Sequence, residues 1–406
     1  MDVLIALRDE PIISKASTLI NTVSFPTKST SPTDSVHAGD LEDPNAKFAA
    51  EIRGKTLRIP NHVLTSLSDA GWPTVEIKAA KWTPGQRAQY ERLRRDTDAV
   101  IARIFKDPVT VQKVKDEDYA LFCFAWFLQT EDYENLWTAT LYIIWLFVWD
   151  DQVDLNEGSL ASDFASATAW RTETIAMIDR FFGLKATPAA QALVTGPMIA
   201  LEEFSKRAVK KFNEGQLRRL RDEMVRFIEA CGTEQASRLA GYVPGVDEYH
   251  ELRPYTSSVY SCFVILEVFS DVPLPDWVWD SREMKIIAKE GNSLVYILND
   301  VLSLKKEIAN NCVINTVPVM YLSGVPWERI MPELEADIEK SRKNLDDAAQ
   351  VLIEGTMSEP DVNRAMIHFI DGVKNNTTGN ISYSLDTARY RNMRTVTDDD
   401  MVEIAL

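Results

Sequence analysis

Hydrophobic residues begin to recur at helical spacing near Thr83 and keep that spacing almost to residue 393. The stretch TPGQRAQYERLRRDTDAVIARIF opens on Thr83-Pro84, a capping hydroxyl followed by a ring suited to a first helical turn. Its apolar residues then recur at steps of three and four. The same pattern predicts helices near 116–128, 133–154, 161–183, 188–208, 212–231, 246–270, 277–308, 310–322, 325–354 and 359–393. Breakers such as LNEGS, GLKATP, ACGTEQ, VPLPD and SGVP separate them. No Asn-Gly turn joins two alternating runs, and no repeat of solenoid length is present. The expectation is an all-α fold, one helical domain over residues 83–395.

The pattern differs on either side. Residues 22–46 are rich in Ser, Thr, Pro and Asp and poor in large apolar residues, which predicts a flexible arm. Residues 47–82 carry scattered apolar positions between breakers and are expected to lie over the outside of the domain. Residues 1–82 are therefore read together as an N-terminal arm, and 396–406 as a C-terminal tail.

One segment departs from ordinary amphipathicity. LYIIWLFVWDDQVD, residues 141–154, is apolar all round and then turns acidic. The longest apolar run, Leu136 to Trp149, would span about 21 Å as a helix, short of the roughly 30 Å bilayer core, so it predicts a core helix and no transmembrane segment. At its end Asp150 and Asp154 stand one turn apart on one face, while Asp151 is rotated by about 100°. Like charges so placed repel unless a counter-charge meets them. Carboxylate oxygens suit Mg²⁺, which keeps several waters and binds through one or two carboxylates plus substrate phosphates.

A second polar line interrupts an apolar helix at NDVLSLKKE. Asn299, Ser303 and Glu307 fall at i, i+4 and i+8, giving an amide, a hydroxyl and a carboxylate oxygen on one stripe. Taken singly, either line also reads as a solvated helix end or as side chains bonded to nearby backbone; two such lines, each following an apolar run, are far more specific. Net charge is −17, which argues against a nucleic-acid partner and requires that any anionic substrate be met through bound cations. Four cysteines and four histidines are scattered without metal or triad spacing, so a zinc site and a Ser-His-Asp arrangement find no support. The early acids of MDVLIALRDEP do not look like a signal peptide, and a reduced, cytoplasmic protein is expected.

FVWDDQVD followed by NDVLSLKKE resembles the aspartate-rich and Asn/Ser/Glu motifs of class I terpene cyclases of the fungal and bacterial single-domain type. Arg253, in ELRPYTSS, lies 46 residues before Asn299, a separation like that of the family's diphosphate-sensing arginine. GNISYSLDTARY resembles the C-terminal segment that ends in a diphosphate-binding Arg-Tyr pair, here Arg389 and Tyr390, and Lys306 takes the place of a basic residue beside the motif's glutamate. The resemblance runs from about Trp82 to Met393. It departs at Tyr383, where many relatives have Trp, at Thr256 and Ser257, where bacterial relatives often show Asp and Gly, and at Pro254, directly after Arg253.

The resemblance implies a class I terpenoid synthase bundle with three Mg²⁺ ions between the two motifs. Asp150, Asn299, Ser303 and Glu307 would be metal ligands, with Asp151 bonded to Arg389. Arg253, Lys306, Arg389 and Tyr390 would bind the diphosphate of a prenyl substrate, farnesyl diphosphate by chain size, leading to a cyclic sesquiterpene. Asp150, Asp151, Arg253, Arg389 and Tyr390 would carry the catalysis. Ile143, Leu146 and Phe147 share the face of Asp150, and Phe147 and then Tyr296 are the aromatic candidates for steadying a cation, with Phe122 and Trp126 a further pair. Ordinary core packing would explain each of these rings equally well. The resemblance also brings a homodimer into consideration. A chain-elongating prenyltransferase would need a second aspartate-rich motif, for which only DDAAQ at 346–350 offers itself, and a catalytically silent lipid-binding bundle is the reading from another class. No DxDD stretch suggests proton-initiated cyclisation.

Overall fold

The computed structural model describes residues 43–74, 76–127, 130, 132–153, 160–184, 194–390 and 395–406. In chain order the elements are α1 (Ala46–Ile52), β1 (Thr56–Pro60), α2 (Asn61–Asp69), α3 (Pro84–Ile104), α4 (Pro108–Asp116), α5 (Tyr119–Trp126), α6 (Tyr133–Val153), α7 (Phe164–Phe181), α8 (Met198–Lys211) and α9 (Glu214–Leu239). There follow α10 (Val246–Thr256), α11 (Val259–Leu266), α12 (Asp276–Asp280), α13 (Arg282–Ala309), α14 (Thr316–Leu322), α15 (Trp327–Gly355), α16 (Pro360–Asp386), β2 (Thr395–Val396) and β3 (Met401–Ala405).

Local chemistry sets many of these boundaries. Thr83 caps α3 through a reciprocal box with Gln86, and Asn213 does the same for α9 with Gln216. The single helix expected over 246–270 is two, because Ser258 turns to φ 56° between α10 and α11. That turn is held by hydroxyls: Tyr142 reaches Ser258 and Ser261 at 3.1 and 2.5 Å. Pro254 stands inside α10, which ends two residues later, and the Pro254 carbonyl accepts from the Asn292 side chain at 2.8 Å.

Helix α6 is buried on nearly every side, as an all-round apolar helix must be. Its threonines spend their hydroxyls on their own helix, Thr138 on the Glu134 carbonyl and Thr140 on that of Leu136. It packs among α3, α5, α8 and α9, while α13 packs on α15 and α16. The α13–α16 approach depends on Gly291, where a Cβ would stand 2.7 Å from Val373 Cγ1. Among the described residues no helix is long and apolar enough to cross a membrane.

A small antiparallel sheet, ordered β1-β3-β2, lies outside the bundle. Thr56 pairs with Ala405 and Pro60 with Met401, so residues read from the sequence as a tail form the central strand. Leu57, Ile59, Val402 and Ile404 face inward and are buried. The expected arm falls partly on residues 1–42, outside the described residues. From residue 43 the chain is a strap crossing between two helix ends. Pro44 rests on Gly241 just past α9, and Asn311 just past α13 donates to Asp43 at 2.8 Å. Arg53 donates to the Ile308 carbonyl at 3.1 Å.

Candidate active site

Asp150 and Asp151 end α6, and Asn299, Lys306 and Glu307 lie along α13; all five line one cavity with Arg253, Arg389 and Tyr390. The cavity, counted together with the open solvent at its mouth, takes in about 1270 Å³ of non-atom space. Ile143, Leu146 and Phe147 of α6 continue the wall, with Phe122, Trp126, Val295 and Tyr296 from neighbouring helices. Since α6 rises about 1.5 Å per residue, Ile143 lies some 10 Å deeper than Asp150. The polar groups therefore belong to the mouth and the apolar wall to the interior. Asp154 falls outside the described residues.

Ser303 is not on the cavity wall. It is 2% exposed and donates to Glu307 at 2.5 Å, while Asn315 holds the other Glu307 oxygen at 2.8 Å. Burial, and then the charge of Asp300, push the Glu307 carboxyl up to about 7. Asp300, which no motif singles out, is the organiser of this side. Its carboxylate accepts from Arg253 Nη2 at 2.8 Å, from the Thr316 amide and hydroxyl at 3.0 and 2.6 Å, and from Tyr249. Burial opposes the charge of Arg253, yet Asp300 holds its pKa well above the ordinary arginine value. Arg253 also reaches Asn299 Oδ1 at 3.3 Å, and Asn299 donates to the Tyr390 hydroxyl at 2.8 Å. One chain of hydrogen bonds thus joins α10, α13 and the segment after α16.

Across the mouth Arg389 is 9% exposed in its side chain and gripped by two carboxylates. Its Nη2 donates to Asp151 at 2.9 Å and its Nη1 to Glu117 at 2.5 Å. Burial works against an ionised Asp151, but the charges of Arg389 and Lys306 keep its pKa below the ordinary aspartate value. Lys306 is displaced downward, by burial first and then by Arg389. Glu117 had no signal in the sequence beyond its place in KDEDY. It lies in the short turn between α4 and α5, and its carbonyl accepts from the Tyr383 hydroxyl at 2.6 Å.

The wall rings touch one another. Phe122 stacks on Trp126 at 4.5 Å and meets Phe147 and Tyr383 edge-on at 4.9 and 5.1 Å. The Arg389 guanidinium lies 5.2 Å from the Phe147 ring centre. Tyr383 backs Phe122 and does not line the cavity. The Tyr296 hydroxyl lies 2.9 Å from His250 Nδ1.

The donor set fits a hard cation: carboxylate, amide and hydroxyl oxygens with no sulfur or imidazole among them. Among the described residues no three His, Cys, Asp or Glu side chains gather closely enough to chelate an ion alone. The Cys231 thiol donates to Asp150 Oδ1 at 3.7 Å. The second acidic pair, Asp346 and Asp347, is engaged elsewhere: Asp346 meets Arg342 and Lys374 at 3.0 and 2.7 Å, and Asp347 pairs with Lys343.

Comparison with known proteins completes the picture. The model of terpene synthase family 2, C-terminal metal binding, matches residues 141–344. That span includes Asp150, Arg253, Asn299, Ser303, Lys306 and Glu307 and stops before Arg389. Sesquiterpene cyclase hepA of Aspergillus oryzae is 26% identical over 326 residues, which cover 78% of this chain and 88% of hepA. Silphinene synthase peniA of Penicillium patulum is 25% identical over 368 residues, 88% of this chain and 93% of peniA. Among solved structures, the linalool/nerolidol synthase from Streptomyces clavuligerus in complex with 2-fluorogeranyl diphosphate superposes with a TM-score of 0.62 at 17% identity, covering 74% of this chain and 99% of that one. The last likeness carries the helical fold.

Proposed function

This chain belongs to terpene synthase family 2, and from that premise we propose that it ionises and cyclises farnesyl diphosphate, releasing diphosphate and a cyclic sesquiterpene hydrocarbon or alcohol. It is a terpene synthase, a lyase with a metal-binding domain. The choice of a fifteen-carbon substrate is supported by the sesquiterpene cyclase named among its relatives. One observation carries the reading: Asp150 and Glu307 line the same cavity as Arg253, Lys306 and Arg389, and its wall continues in apolar and aromatic side chains.

Asp150, Asn299 and Glu307 are the residues that would hold the metal, three Mg²⁺ ions on the family pattern, while Ser303, off the cavity wall, would act through its hydrogen bond to Glu307. When bound, Mg²⁺ supplies a Lewis acid that offsets charge on the departing diphosphate. The protein's own residues do the rest. Arg253 and Arg389 offer forked N–H groups to phosphate oxygens, and Lys306 and Tyr390 add single donors. Asp300 keeps Arg253 in place, as Glu117 and Asp151 keep Arg389. The interior excludes water and presents ring faces whose quadrupoles attract a positive carbon centre, Phe147 and Tyr296 first among them. Chain elongation lacks its second acidic site, since Asp346 and Asp347 are tied up in ion pairs and neither lines this cavity.

The test is incubation with Mg²⁺ and geranyl, farnesyl or geranylgeranyl diphosphate, with volatiles and free diphosphate measured together. Farnesyl diphosphate should yield a fifteen-carbon volatile and one equivalent of diphosphate. Longer prenyl diphosphates as the product, or no diphosphate release from any substrate, would refute the proposal.

A further inference from the structure

Asn45 belongs to none of the motifs, yet it lines the cavity. It stands in the strap, one residue before α1, where an asparagine ordinarily turns its side-chain oxygen onto the first amides of the helix. Here no such bond forms. The side chain turns the other way, and Nδ2 donates to the Arg238 carbonyl at 2.9 Å near the end of α9. That bond fixes which end of the amide is oxygen, because a flipped amide would set Oδ1 against a carbonyl. The residue is 2% exposed, and Oδ1 is buried with no hydrogen-bond partner. A buried carbonyl oxygen without a donor is costly and uncommon enough to need a reason.

The surroundings say what kind of group would satisfy it. An acceptor cannot bond phosphate oxygens, which are acceptors too, so it needs a hydrogen-bearing partner. Glu234, Glu307 and Asp150 share the cavity with it, an acidic wall suited to a hydrated cation. The strap itself is held at both sides of the mouth. Gly241, at φ +63°, leaves room for Pro44, whose Cβ would stand 2.8 Å from any Cβ added there. Asp43 takes the Asn311 amide, and Arg53 reaches the last turn of α13.

We propose that Asn45 Oδ1 accepts a hydrogen bond from a water molecule of the metal–diphosphate cluster, so that the strap at residues 43–60 senses whether the site is filled. This inference rests on the metal-dependent reading of the cavity. It makes Asn45 a ligand-contacting residue supplied from outside the motif-bearing bundle.

Inorganic diphosphate with Mg²⁺ is the probe, its binding to the full-length chain measured by calorimetry and the strap followed by hydrogen exchange. The wild-type strap should gain protection when both are present. Asn45→Leu, which removes the acceptor, should weaken binding about 3- to 10-fold, the loss of one ordinary hydrogen bond, and abolish the gain. Asn45→Asp keeps oxygen acceptors but loses the donor to Arg238, so it should bind at least as well as wild type. Equal loss in both variants would overturn the inference by making Asn45 only an anchor for the strap. Unchanged binding in Asn45→Leu, or a wild-type strap whose exchange ignores the probe, would overturn it as well. If the wild-type chain shows neither heat of binding nor a change in exchange, this inference falls, and the diphosphate-release assay decides separately whether the enzyme reading falls with it. Should a variant fail to fold, the wild-type exchange experiment still decides.

Discussion

Adding a single methyl group at Gly379 tests how closely two helices must approach to build the cavity wall. In α16 a Cβ at this position would stand 2.5 Å from the Ala125 carbonyl oxygen, 2.8 Å from its carbon and 3.1 Å from the Trp126 amide nitrogen. All three are backbone atoms, so no side chain can swing away. Ordinary contact begins near 3.4 Å, so relieving the 2.5 Å approach would require α5 to retreat by about 0.9 Å, as in an overpacked core. It is tied where it lies. Asn375 donates to the carbonyls of Ala125 and Trp126 at 3.0 and 2.8 Å, and Asn376 to that of Trp126 at 2.7 Å. Overpacking of this kind costs about 1–3 kcal/mol, and stretching buried hydrogen bonds adds about 0.5–1.5 kcal/mol for each one lost. Alanine returns about 1 kcal/mol of helix propensity. The net expectation for Gly379→Ala is a loss of about 1–3 kcal/mol, seen as a fall of about 1–4 °C in the thermal midpoint. The product profile should change as well, because Phe122 and Trp126 on α5 line the cavity. Gly355 supplies the control: it ends α15 at ordinary φ with nothing within 4 Å of an added Cβ, so Gly355→Ala should be neutral or slightly stabilising. If both variants melt alike, or Gly379→Ala melts above wild type, the close approach is not what holds this wall.

Other perturbations probe the mouth. Asp150→Ala and Glu307→Ala should each lower turnover by more than about 100-fold with circular dichroism unchanged, and chelation should silence the wild type until Mg²⁺ is returned. Normal turnover in either variant would contradict the ligand assignment. Arg389→Met takes away the guanidinium that bridges Glu117 and Asp151 and leaves Lys306 as the remaining cation beside them. It should cost about 2–4 kcal/mol in denaturant titration, a figure reduced from that of a fully buried pair because Asp151 is 23% exposed. Adding Glu117→Gln to Arg389→Met should recover part of that loss, and strict additivity would deny the coupling. His250 is held below its ordinary value of 6.5 by burial, although Asp300, Asp337 and Asp247 pull the other way. As pH falls below 6.5 the unfolded chain takes up this proton before the folded one, so folding is weakened. His250→Asn should make the acid limb of a stability–pH curve shallower than in wild type; identical slopes would refute this.

The helical class was readable because eleven segments each carried the same period, and errors at their ends did not alter the sum. The two motif lines were readable for a related reason: Asp150 and the Asn299-to-Glu307 stripe are local patterns on single helices. What stayed hidden was carried by distant partners. Leu57 and Ile59 alternate with polar residues as a strand should, but the run is five residues long and its partner lies near residue 403. Asp300 was in view inside NDVLSLKKE, yet its task depends on Arg253, Tyr249 and Thr316, which no spacing brings together. Glu117 stood at the start of a stretch read as helix, and Asn45 in one read as a flexible arm. Their chemistry depends on where the backbone sets them, and composition gives no hint of that.

In the outer sheet the strand in the middle is the latest of the three in the chain. Its pairing with β1 spans most of the described chain, the kind of non-local contact whose loop closure slows folding. An element added last to a finished body can also let go first without taking that body apart. Arg389 and Tyr390 lie in the chain between the end of α16 and this clasp, so the two strands that close it also bracket the grip at the mouth.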